Sequence, residues 1–487
     1  MHILSLLTAA ALAASIGTAS SQDTGRWAEL RDLPFPGSFP TEEAARILND
    51  EMLFQRASQA VLWSLPAMTL WSMKKGSEAE FGAGSNVFPI WKDRLTSDTI
   101  VSTPNSDVIY GMGYLDLKRD GPTVIEVPPK LQGILDDFWH RPLTDVGFVG
   151  PDKGEGGKYL ILPPDYEGEP PEGYFTFTSD TYNVFVFWRA FLDPETRSGA
   201  EGVALMERTR IYPLSQTDNP PEMVFPNGSG RPADMVFPRH YSYFEGLAEF
   251  IEAEFVGPED WAMRGQLASL GIRKGMPFTP DDRMKEILTA GAEVGMNMAQ
   301  ALRFGDMLPD TKYYEDRQWH NVLNVPNVNF EEDSFRNIDA QVGMFIIGYS
   351  ISPAMVENMV GAGSKYPFAY KDAAGEYLTG DKAYKLHVPA DAPAENFWSV
   401  TLYDASNSSG LQNGQQFPSI GSLDDLTYNE DGSVDLYFAP ELPDGAPEGN
   451  WRRTVPGKGW FVLFRLYSPS QSFFDQTWRP DDFVALN

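Results

Sequence analysis

FWHRPLTD at residues 138–145 and FWSVTLYD at residues 397–404 share an opening Phe-Trp and, at the same spacing, a closing Asp. Further likenesses follow downstream in the same order: residues 158–174 resemble 434–450, and residues 183–191 resemble 460–467. A shared order of short matches is typical of an internal repeat. The sequence therefore predicts an α+β chain that is mainly β, with two related, jelly-roll-like β-sandwich domains and helical additions.

Changes in composition divide the chain into five predicted parts. These are a signal peptide at 1–21, a leader with an N-terminal helix at 22–100, a first β-sandwich at 101–193, a helical insert and connector at 194–365, and a second β-sandwich at 366–487. We expect Thr41 to cap the N-terminal helix and Pro66 to end it after Leu65 or to kink it. Apolar spacing predicts a further helix at 281–303, which Gly295 weakens.

The N-terminus and the overall charge bear on location and partners. Residues 3–16 are apolar and small residues follow them, which is typical of a secretory signal peptide, although no Lys or Arg precedes the run. We therefore expect export to the periplasm or the medium, with no membrane span after signal removal. The net charge of −30 argues against nucleic acid as a partner. Because the chain has no Cys, disulfides, thiolate catalysis and Cys-ligated zinc are excluded.

Two arginines stand inside strongly apolar predicted strands, where an unpaired charge is costly. Arg189 belongs to the first copy of the repeat and Arg465 to the second. We expect a structural ion pair within each domain, Asp145 with Arg189 and Asp404 with Arg465. The alternative is that the repeated residues form twin functional sites.

Function is expected where the two copies differ. His140 of the first copy corresponds to Ser399 of the second, and a histidine beside a tryptophan can serve as an acid or base near neutral pH. Structural roles remain open for every candidate residue. We predict Asp107 and His140 as catalytic, and as ligand-binding Asn105, Tyr110, Trp139, Trp398 and Tyr403. The histidine spacing favours no metal site, and the sequence identifies no cofactor.

Several motifs resemble a known pair of families. TPNSDVIY at 103–110 and GGKYLILPP at 156–164 resemble the domain of unknown function 1254. FWSVTLYD at 397–404 and FRLYSP at 464–469 resemble its usual partner, the domain of unknown function 1214. The resemblance implies a two-domain β-sandwich protein that is commonly exported, without an established activity or catalytic residue. This chain departs from the pattern at Val108 and at 452–453, where Thr and Leu-Pro are common.

Three classes of function remain open. The first is an exported hydrolase or lyase that acts on a polar or amphipathic small molecule or a glycan. The second is a non-catalytic binding protein for such a ligand outside the cytoplasm. The third is a surface or assembly protein, which size in solution would distinguish; the sequence allows a homo-oligomer but does not determine the oligomeric state. The sequence does not decide whether the protein is an enzyme.

Overall fold

The computed structural model describes residues 23–309, 311–323, 325 and 327–486. The predicted signal peptide at residues 1–21 lies outside the described residues. The helices in this part of the chain are α1 (Asp23–Arg31), α2 (Glu42–Phe81), α3 (Leu117–Asp120), α4 (Ala200–Met206), α5 (Ser242–Ala253), α6 (Trp261–Ser269), α7 (Asp282–Phe304), α8 (Ile338–Phe345), α9 (Pro353–Val356) and α10 (Gln471–Phe474). None of these helices is both long and apolar enough to cross a membrane.

The first β-sandwich consists of two four-stranded sheets. Its strands are β1 (Val108–Asp116), β2 (Thr123–Val127), β3 (Gln132–Asp137), β4 (Pro142–Val146), β5 (Gly157–Leu162), β6 (Phe175–Thr178), β7 (Asn183–Phe191) and β8 (Arg210–Pro213). The sheet orders are β1-β7-β3-β4 and β6-β5-β2-β8. Leu115, Ile125 and Trp188 belong to the core between them. The sandwich extends beyond the predicted boundary at residue 193, because β8 pairs with β2.

The second β-sandwich repeats this arrangement. Its strands are β9 (His320–Asn321), β10 (Ser364–Lys365), β11 (Pro367–Ala369), β12 (Tyr384–Val388), β13 (Ala394–Asp404), β14 (Ser419–Gly421), β15 (Val434–Ala439), β16 (Trp451–Arg453), β17 (Trp460–Pro469) and β18 (Val484–Ala485). The sheet orders are β14-β13-β17-β11-β9, with β10 also on β17, and β16-β15-β12-β18. Leu386, Leu436 and Phe464 belong to its core.

Strands β1 to β8 therefore correspond in order to β11 to β18. Each sandwich has one parallel pair at the same place, β5 with β6 and β15 with β16. A parallel neighbour at the edge of an otherwise antiparallel sheet is a specific feature, and its recurrence supports a duplication. The α+β fold with two related β-sandwiches is confirmed.

The register of the repeat differs from the one that the Phe-Trp motif predicts. Gln132 of β3 lies opposite Arg189, and Ser399 of β13 lies opposite Arg465. Gln132 therefore corresponds to Ser399, and the match of Trp139 with Trp398 is wrong. The strand pairing explains the error, because the first Phe-Trp follows the end of β3 while the second lies within β13.

The helices and the two sandwiches meet in a shared core. Tyr110 and Phe187 of the first sandwich and Tyr403 of the second belong to it, together with residues of α2, α5, α7 and α8. Thr41 caps α2 as expected, by accepting a hydrogen bond from the backbone N–H of Ala44. The predicted end after Leu65 is wrong, since α2 continues to Phe81. Pro66 lacks one helical N–H, but this part of the helix is buried, and its packing outweighs that loss.

Candidate ligand-binding site

A cavity of about 90 Å³ lies between the two β-sandwiches and is termed the central cavity. Its wall is formed by β1, β3 and β7 of the first sandwich, β17 of the second, and the segments around α8 and α9. The lining includes Tyr110, Arg189, Tyr366, Arg465, Phe187 and Leu463. The cavity thus combines two cationic groups with aromatic and aliphatic surface.

Each half of the molecule contributes one arginine and one tyrosine at equivalent positions. In the first half, Tyr110 of β1 lies opposite Arg189 of β7. In the second half, the register of β10 and β11 on β17 places Tyr366 opposite Arg465. Because β1 corresponds to β11 and β7 to β17, the two arginine–tyrosine pairs are products of the same duplication.

Arg465 is held in place by uncharged oxygen atoms. Its guanidinium donates hydrogen bonds to Oγ1 of Thr401 at 2.9 Å and to the backbone carbonyls of Thr103 and Pro104 at 3.1 and 3.3 Å. It also donates to the hydroxyl of Tyr403. Burial acts to lower the pKa of Arg465, but the neighbouring tyrosine oxygens outweigh burial and raise the pKa. The guanidinium therefore stays charged.

The predicted ion pair between Asp404 and Arg465 is wrong. Asp404 is the last residue of β13, whereas Arg465 lies opposite Ser399, five positions earlier on the same strand. The Asp404 carboxylate instead accepts a hydrogen bond from Nζ of Lys458 at 2.6 Å. Burial raises the pKa of Asp404, but the bonds to this carboxylate outweigh burial and lower the pKa.

Asp145 and Arg189 do not form a direct salt bridge. Among the described residues, no carboxylate oxygen lies within 4.0 Å of the Arg189 guanidinium. The Asp145 carboxylate accepts a hydrogen bond from the backbone N–H of Ala354 at 3.2 Å, and burial raises its pKa. Both side chains border a smaller cavity next to the central one, so that Arg189 acts on Asp145 only from a distance.

The polar loop before β1 connects the two halves. Asn105 accepts a hydrogen bond from the backbone N–H of Asp107 at 2.8 Å and donates one to the hydroxyl of Tyr467. The Asp107 carboxylate lies 3.2 Å from Nη2 of Arg94 and accepts a hydrogen bond from Ser419. Asp107 is thus occupied by an ion pair outside the central cavity, and its catalytic role stays a prediction.

His140 is buried and borders a second, larger cavity of about 550 Å³ rather than the central one. Its Nδ1 accepts a hydrogen bond from the backbone N–H of Ser350 at 2.9 Å, and its ring stacks on Phe345 with 4.2 Å between ring centroids. Burial lowers the pKa of His140 to about 3, so the imidazole is neutral near neutral pH. The bond from Ser350 places the imidazole proton on Nε2, because Nδ1 is the acceptor.

Ser350 borders the central cavity itself and links it to a buried carboxyl group. Its hydroxyl donates a hydrogen bond to Oδ2 of Asp136 at 2.7 Å. Burial raises the pKa of Asp136 to about 8. Ser350 and His140 both adopt a positive φ, 60° and 57°, which is uncommon for residues other than glycine. Such backbone strain is frequent at functional sites.

The aromatic residues predicted to bind a ligand do not form one site. Trp139 packs against Trp63, with 4.7 Å between ring centroids, and borders a larger cavity of about 550 Å³. Trp398 belongs to the core of the second sandwich. Tyr403 is fully buried, donates a hydrogen bond to the carbonyl of Pro104, and contacts the central cavity through Arg465. Tyr110 alone among the predicted ligand-binding residues borders the central cavity.

Sequence reasoning singles out both arginines but assigns them structural roles, and it misses Asp136, Ser350 and Tyr366. An arginine in each of two equivalent apolar strands is the signal that points to the cavity. The polar partners carry no such signal, because they come from turns and short strands. Among the described residues, no cluster of three or more His, Cys, Asp or Glu side chains is arranged to hold a metal ion.

Comparisons with known proteins agree with the two halves of the fold. Residues 85–213 match a family described as protein of unknown function (DUF1254), and residues 363–471 match protein of unknown function (DUF1214). No curated protein matches the sequence. The first matched region ends with β8, which supports the observed limit of the first sandwich.

Two solved structures are similar to this chain. The VPA0106 protein from Vibrio parahaemolyticus shares 17% sequence identity at a TM-score of 0.53, over 89% of this chain and 100% of its own. That likeness shows a common fold. A putative uncharacterized protein from Burkholderia cenocepacia shares 13% identity over 91% of this chain and 97% of its own, at a TM-score of 0.40, too low to establish a common fold. The chain therefore carries both domains of unknown function, the DUF1254 region in its first half and the DUF1214 region in its second.

Proposed function

We propose that this protein binds a small organic acid in the central cavity. The observation that carries the proposal is the pair of arginines in its wall. Within the described part of the chain, neither Arg189 nor Arg465 has a carboxylate oxygen within 4.0 Å. Arg465 is buried and Arg189 is partly buried. A charge held away from water is costly unless it is paired, and guanidinium groups form strong, often bidentate hydrogen bonds with carboxylates. An acidic ligand supplies that partner.

The tyrosines next to these arginines are suited to the same ligand. Burial acts to lower the pKa of Arg189, but the oxygens of Tyr366 and Tyr110 outweigh it and raise the pKa above its ordinary value. The phenol of Tyr110 stays neutral, since burial raises its pKa to about 12. A neutral phenol can donate a hydrogen bond to a carboxylate that lies against a guanidinium.

The remainder of the wall indicates a small ligand with an apolar body. Ile134, Phe187, Met344 and Leu463 border the cavity between the polar groups. Small-molecule sites commonly combine an apolar lining with a few placed polar groups. The volume of about 90 Å³ is small beside the roughly 300 Å³ or more of typical small-molecule sites. This volume favours a short-chain acid over a glycan.

Ser350 favours a second candidate function, an enzyme of the hydrolase or lyase class that acts on the bound acid. Ser350 borders the same cavity, and its hydroxyl is bonded to Asp136. Because burial raises the pKa of Asp136 to about 8, this carboxyl group is protonated near neutral pH and is suited to give up a proton and take it back. His140 fixes the backbone of Ser350 and would act as a positioning residue.

Isothermal titration calorimetry with acetate, propionate, malonate, succinate and benzoate tests the binding proposal. We expect at least one acid to bind, while the corresponding amide does not, and Arg189→Gln to weaken binding by about tenfold or more. The matched control is Arg479→Gln, an exposed arginine, which should bind as the wild type does. Absence of binding by every acid, or undiminished binding by Arg189→Gln, would overturn the proposal.

Proton NMR spectra of the same mixtures separate a binding protein from an enzyme. Conversion of a bound acid supports the second candidate, and Ser350→Ala must then stop conversion while it still binds the acid. Spectra that stay unchanged with every acid that binds exclude catalysis on this panel and leave the binding function in place.

A further inference from the structure

The two arginines of the central cavity are related by the duplication of the fold. Arg189 and Arg465 stand at equivalent positions of the equivalent strands β7 and β17, each opposite a tyrosine of the neighbouring strand. Both side chains border the same cavity. The cavity therefore lies between two copies of one arginine–tyrosine element, so that its wall carries the same cationic group from either side.

We infer that the ligand is a short dicarboxylate, with one carboxylate at the guanidinium of each half. This inference rests on the proposed function and specifies its ligand class. A monocarboxylate would pair with one guanidinium and leave the other with neutral partners only. A dicarboxylate pairs with both and gives each sandwich the same contact.

The charges around the cavity support two acidic groups rather than one. Two carboxyl groups lie near the cavity wall: Asp136, bonded to Ser350, and Asp145, which shares a smaller cavity with Arg189. Burial raises the pKa of both, which favours their uncharged forms. Neither is a direct salt-bridge partner of an arginine in the wall. The two guanidinium charges of the wall are therefore not neutralised by contact with a carboxylate of the described residues.

The volume sets the length of the dicarboxylate. The space of about 90 Å³ is small beside the roughly 300 Å³ or more of typical small-molecule sites, so we expect the shortest diacids, of about two to four carbon atoms. Oxalate, malonate and succinate span this range. Four donors of Arg465 are already bonded to neutral oxygens, which fixes its position. Arg189, in contrast, also borders the two neighbouring cavities. We therefore expect Arg189 to adjust to the length of the ligand.

Calorimetric titration of the intact protein with diacids and their half-amides tests the inference. Malonamate and succinamate keep the length of malonate and succinate but carry one charge less. We expect the preferred diacid to bind about tenfold or more tightly than its half-amide. In Arg189→Gln the preference should fall to about one, because a single guanidinium then faces either ligand. Circular dichroism shows whether the variant is folded. If it is not, the comparison of the diacid with its half-amide in the wild-type protein tests the inference by itself.

The outcomes distinguish this inference from the function on which it rests. If the half-amide binds as tightly as the diacid, the dicarboxylate inference is overturned and the binding of small acids stands. If inorganic phosphate or sulfate binds and no diacid does, a compact dianion is the ligand and the inference fails. If no acid of either kind binds, the proposed function itself fails.

Discussion

At the scale of single residues, burial shifts the pKa values of two neighbouring ionisable groups in opposite directions. Nδ1 of His140 lies 3.9 Å from Oδ2 of Asp136, and both side chains are fully buried. Burial raises the pKa of the carboxyl group to about 8 and lowers that of the imidazole to about 3. Both groups are therefore neutral near neutral pH. The sequence singles out His140 as a candidate acid or base, but the charge state of this histidine depends on burial, which neither residue type nor spacing reveals.

The proton on Asp136 makes stability depend on pH. Its pKa is about 8 in the folded protein against 3.8 for the ordinary group, so the native state keeps a proton that the unfolded state loses. The free energy of unfolding should therefore fall as pH rises through this window, by at most about 1.4 kcal/mol per pH unit. An ordinary histidine is half protonated at about pH 6.5 and largely neutral above about pH 7.5, so the protonation of His140 in the unfolded state opposes this fall only at the lower end of the window.

Asp136→Asn removes this dependence. Urea unfolding between pH 6.5 and 8 should show the variant gaining stability relative to the wild type as pH rises, since an amide cannot lose the proton. The control is Asp218→Asn, an exposed residue, whose curve should run parallel to that of the wild type. Parallel curves for Asp136→Asn as well would show that Asp136 is ionised in the folded protein.

At the scale of elements, α7 packs against α2 through glycines. A Cβ atom at Gly291 would lie 2.4 Å from Cβ of Ala57, and one at Gly295 would lie 2.9 Å from Cβ of Val61. Apolar spacing predicts α7 within one residue of its observed ends, because that pattern is local. The same local reasoning predicts that Gly295 weakens the helix. It cannot show that α2, which lies more than 200 positions earlier in the chain, requires a small residue there.

Two glycine-to-alanine substitutions separate helix propensity from packing. Where a helix position has free space around it, replacing glycine by alanine should raise the free energy of unfolding by up to about 1 kcal/mol. A Cβ atom added at Gly265 in α6 would have no neighbouring heavy atom within 4 Å, so Gly265→Ala should show this gain. Gly291→Ala should instead lower the free energy of unfolding, because the new methyl group forces α7 away from α2. Thermal and urea unfolding measure both, and a gain at Gly291 equal to that at Gly265 would refute the packing argument.

At the scale of the whole molecule, the duplication is visible in the sequence and the site is not. Short matches in order predict two sandwiches, since each copy keeps its own strands. The predicted ion pairs keep each arginine within its own half. The folded chain instead turns both arginines toward a cavity between the halves. The local sequence does not show that two sheets face each other. The sequence therefore singles out Arg189 and Arg465 but does not predict that they border one cavity.

The shared core predicts that the two sandwiches unfold together. Residues of both sandwiches and of the central helices form one continuous cluster, so loss of either sandwich exposes the core of the other. Ile125→Ala in the first sandwich and Leu436→Ala in the second truncate fully buried side chains. Each substitution should lower the free energy of unfolding by about 2–5 kcal/mol. Scanning calorimetry should show one transition that moves to lower temperature in both variants. Two transitions, of which each variant moves only one, would mean that the halves fold independently and that the central cavity is a contact between autonomous domains.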